Sequence, residues 1–278
     1  MRQRTANPSQ SAPALPKIEI SNLTLDYVTA TEEKIRVLEN FDLTVREGEL
    51  ITLIGGSGCG KSTVMNFIAG ILPKQSTRVT CERLHVRWSE PGYTGNWGYV
   101  FQKDSLLPWM TVLGNVELGL RIRGVPSQER RERAREWIAR VGLTGFENAY
   151  PHTLSGGMRQ RVNIIRTLAY NPEIILMDEP FGALDAQTRM SLQQQLLDLW
   201  CSSGKTIVFV THDLEESIIL GERLVMFGPR PTGIRKIYEI NLPTPRDVMN
   251  LRFSPQFQHL ARTIWADLRE VMKDDVGG

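Results

Sequence analysis

Cysteine is scarce and scattered in this 278-residue chain: Cys59, Cys81 and Cys201 are odd in number and stand in no metal-ligand spacing. That excludes a disulfide framework and a cysteine metal cluster, and it suits a reducing compartment. No apolar run approaches the roughly 20 residues that span a bilayer, so any membrane role has to be borrowed from other subunits. The stretch Met1 to Pro16 is polar, carries Pro and Ser, and lacks the apolar core of a secretory signal; it reads as a disordered arm. An excess of one charge is lacking too. With 33 basic and 31 acidic residues the formal net charge is +2, which gives no argument for nucleic acid as a partner. Heptads, internal repeats and low-complexity tracts are also missing. What remains is an ordinary globular composition, 41% hydrophobic and 23% charged, in a chain long enough for one large domain or a core with subdomains.

Against that background one stretch organises the rest. Gly55-Gly56-Ser57-Gly58-Cys59-Gly60-Lys61-Ser62-Thr63 fits the phosphate-binding pattern G-x-x-x-x-G-K-[ST]. Before it runs Leu50-Ile51-Thr52-Leu53-Ile54, short and apolar like a buried strand, and after it the residues from Val64 to Ala69 suit a helix start. Glycines let backbone N–H groups approach an anion closely, and the new helix points its positive end at the same place. Lys61 adds a charge that reaches the β and γ phosphates, and the Ser62 hydroxyl ligates Mg²⁺. The plain alternative is a glycine-rich turn with an incidental lysine. A P-loop alone says that a nucleoside triphosphate binds, and not what its energy is used for.

Ile18–Ile20 and Leu23–Tyr27 alternate as half-buried strands do, followed by a charged stretch from Thr31 to Arg36, then Val37-Leu38 and Phe41–Val45. Together they suggest an antiparallel β layer beside the nucleotide core. Tyr27 is either an ordinary strand aromatic or a flat ring for adenine; the residue alone decides nothing. Thr77 to Trp88 alternates through Val79, Leu84 and Val86, Ser89 to Trp97 is a Gly/Pro-rich loop, and Gly98–Phe101 is a strand ending at Gln102.

Leu106-Leu107-Pro108-Trp109-Met110 is apolar but broken by proline. Thr111 caps a helix running to about Arg123-Gly124, and Ser127 caps another with Ala134, Trp137, Ile138 and Val141 on one face. These helices look like an insertion between core strands. Leu154-Ser155-Gly156-Gly157-Met158-Arg159-Gln160 then opens a further helix. Its Ser-Gly-Gly is a second potential anion site, or simply a capping serine with two glycines.

Ile174–Met177 is a continuous apolar run, the mark of a strand buried on both faces, and Asp178-Glu179 stands at its end. Two adjacent carboxylates there are costly unless a cation or water compensates them. Asp178 would hold Mg²⁺ through water and Glu179 would polarise the attacking water; the alternative is an exposed acidic turn. Gly182-Ala183-Leu184-Asp185 leads into a long helix to Trp200. Ile207–Val210 is another apolar strand with Thr211-His212-Asp213 at its end, where ligands bind in open α/β sheets. Leu224–Phe227 is a further strand, Pro229 to Gly233 is turn-rich, and Ser254 to Lys273 is a helical tail through Phe257, Leu260, Ile264 and Leu268.

With P-loop, Leu-Ser-Gly-Gly, Asp-Glu and His in this order over residues 17 to 228, the chain resembles the ATP-binding subunit of ABC transporters. The resemblance implies an α/β fold: a P-loop NTPase core of mostly parallel sheet flanked by helices, with an antiparallel β subdomain and an inserted helical subdomain. Residues 17–250 would form the nucleotide-binding domain, with the helical subdomain over about 103–165, and 251–278 a C-terminal helical tail. It matches Tyr27 with the adenine-stacking aromatic, Gln102 with the Q-loop glutamine, and Leu154–Gln160 with the signature. It also matches Asp178 and Glu179 with the metal-binding and catalytic carboxylates, Asp185 with the D-loop aspartate, and His212 with the switch histidine. Mg²⁺ then falls to Ser62, Gln102 and Asp178. The implied cofactors are ATP and Mg²⁺, and the implied assembly is a head-to-tail pair of nucleotide-binding domains, identical or not. ATP lies between the P-loop of one chain and Ser155-Gly156-Gly157 of the other.

Phe101-Gln102, Leu106–Trp109 and Asp178–Asp185 look like the nitrate/sulfonate/taurine group of bacterial importers. That likeness implies membrane permease subunits, a separate solute-binding protein, and a peripheral seat on the cytoplasmic face of the inner membrane. Trp109 then helps form the groove for a permease helix, or else fills the local core. Residues 74–97 depart from the group by lacking its usual Ser-Gly and Asp-Gly turns. Cys59 stands at a variable P-loop position and, as a partly exposed thiol by a helix N-terminus, reads as reactive. Two rival classes are a non-transport ABC ATPase acting on ribosomes or DNA, disfavoured by the single P-loop and absent coiled coil, and a small-molecule P-loop kinase, which needs no Leu-Ser-Gly-Gly.

Overall fold

The computed structural model describes residues 15–89, 96–103, 105–182 and 184–276. The chain divides into two compact units, 1–95 with 194–278, and 96–193. The first fourteen residues of the expected N-terminal arm, most of the loop expected from Ser89 to Trp97, Ala183 and the last two glycines lie outside the described residues.

In the first unit, β1 (Pro16–Val28) and β2 (Lys34–Arg46) form a long antiparallel pair, with Ile20 opposite Leu43 and Leu25 opposite Leu38. The sequence suggests shorter, interrupted strands here. The chain instead runs through, because Asn22 and Asn40 take positive φ values of 50 and 47° at irregularities in the ladder. Asparagine tolerates that left-handed backbone, so a bulge replaces a break. β3 (Leu50–Ile54) is buried along its whole length and passes into α1 (Lys61–Ile68). β4 (Thr77–Thr80) and β5 (Arg83–Val86) pair with β1. The alternation in their sequence buries no face, since Val79 and Leu84 are each 42% exposed.

The second unit begins with β6 (Trp97–Val100), followed by α2 (Val112–Ile122), α3 (Ser127–Arg140), α4 (Gly156–Leu168) and β7 (Ile174–Asp178), parallel to β6. Thr111 caps α2 as its sequence suggests, its Oγ1 accepting from Gly114 N at 3.1 Å. Ser127 does not cap α3. Pro126 occupies the cap position with an extended ψ of 147°, Ser127 is already the first helical residue, and no side chain caps the end. Ala134 and Ile138 are buried along one face of α3 and Val141 just past its end, while Trp137 is only half-buried. After β7, α5 (Ala186–Ser203) carries the chain back to the first unit.

There β8 (Thr206–Val210), α6 (Leu214–Leu220), β9 (Arg223–Phe227), β10 (Ile234–Glu239) and α7 (Pro255–Val276) complete the chain. β3 lies between β8 and β9, parallel to both, and all three are buried end to end. That is what an apolar run such as Ile207–Val210 requires. β10 runs antiparallel to β9. Phe257, Ile264, Leu268 and Val271 form the buried stripe of α7. Among the described residues no helix is long and apolar enough to cross a membrane.

Candidate functional site

The first unit carries the phosphate cradle. Between β3 and α1 the backbone must turn sharply, and Gly60 does so at φ 105° as the residue preceding α1. A methyl group on Gly60 would lie 3.0 Å from Leu38 Cδ2 and 3.2 Å from Val37 Cγ1, so both the conformation and the space demand glycine. Gly58, at φ 73°, forms the exposed tip beside Ser57. The first turn of α1 holds no acidic residue, which leaves its positive end unopposed.

Lys61 is only 6% exposed, and its Nζ donates to the carbonyls of Gly55 (2.9 Å) and Gly56 (2.7 Å). The amine is thus held by weak neutral acceptors of its own loop, ready to exchange them for charged phosphate oxygens. Ser62 is exposed and Thr63 is 9% exposed. The glycine conformations and the sequestered lysine fit a polyphosphate. Cys59 corrects the expectation of a reactive thiol: it is 2% exposed, its Sγ turned inward beneath Gly55 and 3.6 Å from Lys61 Nζ.

Two other expected residues belong to this unit. Tyr27 sits near the end of β1, paired with Ile35 on one side and Thr77 on the other, and is partly exposed. His212 follows β8 in a fixed backbone. Thr211 Oγ1 accepts from Asp213 N at 3.0 Å, and Asp213 caps α6 by accepting from Glu216 N at 3.1 Å. Thr211 is buried while His212 is exposed. The sheet thus presents the imidazole at the C-terminal end of a parallel strand.

The second unit carries the carboxylates. β7 ends at Asp178, 7% exposed, and the next residue, Glu179, turns the chain with φ 46°. A non-glycine residue in that region is strained and persists where the surroundings enforce it. Gln102, just beyond β6, donates from Nε2 to Glu179 Oε2 at 2.9 Å. Gln160 of α4 donates to Pro180 O at 2.7 Å and pins the segment that follows. Burial first, and the Asp178 charge second, push the Tyr99 hydroxyl far above its usual range, so Tyr99 stays a neutral neighbour.

Ser155 heads α4 as its N-cap, its Oγ accepting from Met158 N at 3.2 Å, and Ser155 and Gly156 are exposed. Asp185 heads α5 in the same way, accepting from Thr188 N at 2.9 Å. The Thr188 backbone bond, then its hydroxyl, hold the Asp185 carboxyl below the usual range. Among the described residues no group of three or more His, Cys, Asp or Glu side chains gathers as a metal cage.

Sequence reasoning missed Asn115. It is fully buried on α2; its side chain accepts from Leu107 N at 2.8 Å and donates to the carbonyls of Leu107, Met110 and Thr111 at 3.2, 3.1 and 3.0 Å. The available signal was a polar residue on the buried face of an amphipathic helix. This network fixes the segment Leu107–Met110 and leaves Trp109 70% exposed, so Trp109 does not fill the local core.

A family model described as ABC transporter matches residues 38–182. An uncharacterized ABC transporter ATP-binding protein of Methanocaldococcus jannaschii is 46% identical over 237 residues, 85% of this chain and 87% of that protein. A taurine import ATP-binding protein of Rhizobium johnstonii is 40% identical over 255 residues, 90% of this chain and 96% of that protein. Among solved structures, an ATP-binding cassette determined as a dimer in a post-hydrolysis state with ADP and Pi shares 33% identity and a TM-score of 0.69, covering 81% of this chain and all 100% of that one.

Proposed function

The chain belongs to the ABC transporter family as an ATP-binding, ATP-hydrolysing subunit, and from that premise we propose that it powers the import of a small solute through partner permease subunits. The observation that carries the import reading is the 40% identity to a taurine import ATP-binding protein along 90% of this chain and 96% of that one. The solute is taurine, another sulfonate, nitrate or a comparable small solute, delivered by a separate binding protein. The chain sits peripherally on the cytoplasmic face of the inner membrane, and the exposed Trp109 is its contact with the permease.

Bound ATP supplies the scissile phosphoryl group, and Mg²⁺ offsets the charge that builds up on its transfer. The residues of this chain divide the work. The P-loop from Gly55 to Thr63 wraps the phosphates with backbone amides, and Lys61 leaves its two carbonyl partners for the phosphate oxygens. Ser62, Asp178 and Gln102 are the residues that would hold the cation. Glu179 orients the attacking water and accepts its proton. His212 steadies the γ-phosphate, and Tyr27 stacks on the base.

Two copies associate head to tail, so that Ser155, Gly156 and Gly157 of each chain close the site of the other and Asp185 joins that junction. Support comes from the exposed Ser155-Gly156 helix start and from the dimeric state of the related cassette. The test is co-expression with the candidate permease and binding protein of the same organism. ATPase activity of the assembled complex should rise when the binding protein carries its solute, and fail to rise with an unrelated solute. Co-purification with ribosomes instead of permease would end the import reading.

A further inference from the structure

The turn after β9 brings a guanidinium against the tip of the P-loop. Thr232, fully buried, anchors this turn: its Oγ1 donates to Gly228 O (3.2 Å) and Pro229 O (3.3 Å), and its N donates to Val37 O (2.8 Å). Glu39 N donates back to Thr232 O at 3.2 Å, and Gly228 N closes the turn on Gly233 O at 3.2 Å. Arg230 projects from this fixed turn. A methyl group built on Gly58 would lie 3.5 Å from Arg230 Nη2 and 3.9 Å from its Cζ, so the guanidinium packs on the bare backbone of the loop tip. Arg230 is exposed, as are Ser57 and Gly58.

We propose that Arg230 is a further phosphate-binding residue of the nucleotide site, adding a second positive charge to that of Lys61 from the outer side of the loop. Arg230 lies outside every motif of the sequence, and the proposal rests on the nucleotide-site reading above. Three features argue for it. The anchored turn holds the arginine backbone in place, so no backbone ordering is needed when its head group engages an anion. Glycine at position 58 leaves no side chain between the guanidinium and the amides that face a phosphate. Lys61 starts buried on two carbonyls, so Arg230 is the exposed charge that an incoming polyanion meets first, and its planar fork suits phosphate oxygens.

The experiment is equilibrium binding of ATP and ADP to the full chain and to R230A, R230K and K61A, with thermal melts of each. R230A should bind both nucleotides about tenfold more weakly, the scale of one charge-assisted hydrogen bond, with an unchanged melting temperature. R230K should recover most of the loss. Unchanged affinities in R230A alongside weak binding by K61A would overturn the proposal and leave the nucleotide site standing. A loss in R230A matched by a lower melting temperature and not recovered by R230K would overturn it too, as a structural role. Full ATP affinity in K61A would instead remove the nucleotide-site reading itself.

Discussion

Gln102 donates its side-chain amide to Glu179 at 2.9 Å, and Glu179 meets it from a left-handed backbone, φ 46°. The carboxylate that the account makes the general base is therefore aimed by two separate constraints, a strained turn after β7 and an amide from the end of β6. Replacing Glu179 by Gln keeps the shape and removes the proton acceptor. Nucleotide binding should persist while hydrolysis falls about 10²–10⁴-fold. Phosphate release and ATP binding, measured on one preparation, check this; wild-type turnover would remove Glu179 from its role.

Gln102→Ala removes the aiming bond together with the cation contact assigned to Gln102 above. Hydrolysis should fall by less than in Glu179→Gln, and the fold should melt near the wild-type temperature because Gln102 and its bond are exposed. An unchanged rate would remove Gln102 from both roles.

Trp109 and Asn115 separate docking from stability within one segment. Trp109→Ala removes a side chain that is 70% exposed, so stability should change by no more than about 0.5 kcal/mol. ATPase activity of the isolated chain should be retained while co-purification with the permease is lost. Asn115→Ala strips the partners from Leu107 N and three carbonyls, and should destabilise by about 1–3 kcal/mol. Denaturant unfolding of both variants reads the difference.

Acid should loosen the tail helix. Hydrogen bonds from Lys236, then Tyr238, hold the Asp267 carboxyl below the usual carboxylate range. A carboxyl depressed on folding contributes stability above its unfolded pKa and loses it as pH falls through the folded value. Melting temperature should therefore drop below about pH 4, and Asp267→Asn should flatten that part of the profile. An identical acid profile in the variant would remove this pair as a contributor.

Much of this architecture could be read from the sequence because the pattern and the physics agreed locally. Ile174–Met177 and Ile207–Val210 are apolar at every position, and only a strand covered on both faces uses such a run. Thr111 and Ser155 announced their helices because a hydroxyl before a helix satisfies an orphan N–H. Ser127 misled for the same reason, since the preceding proline already supplied the entry conformation. β10 escaped notice because four of its six positions are exposed and its charges mask any alternation.

The inward turn of Cys59 and the left-handed backbone of Glu179 depend on neighbours distant in sequence, Phe227 against Gly55 and Gln102 against the carboxylate. No local pattern records such contacts. Arg230 was hidden likewise: its place at the P-loop tip is set by Thr232 bonding across to β2.

The central claim is that each nucleotide is completed by two copies of the chain, and mixing two inactive variants tests it most directly. Lys61→Ala disables the phosphate cradle, and Ser155→Ala disables the half that serves the partner while costing about 1 kcal/mol as a lost helix cap. With random pairing, half of the dimers in an equal mixture are mixed and each holds one intact composite site. ATPase activity should then rise to about a quarter of wild type. Activity no higher than that of either variant alone, in a mixture shown to exchange subunits, would contradict the account.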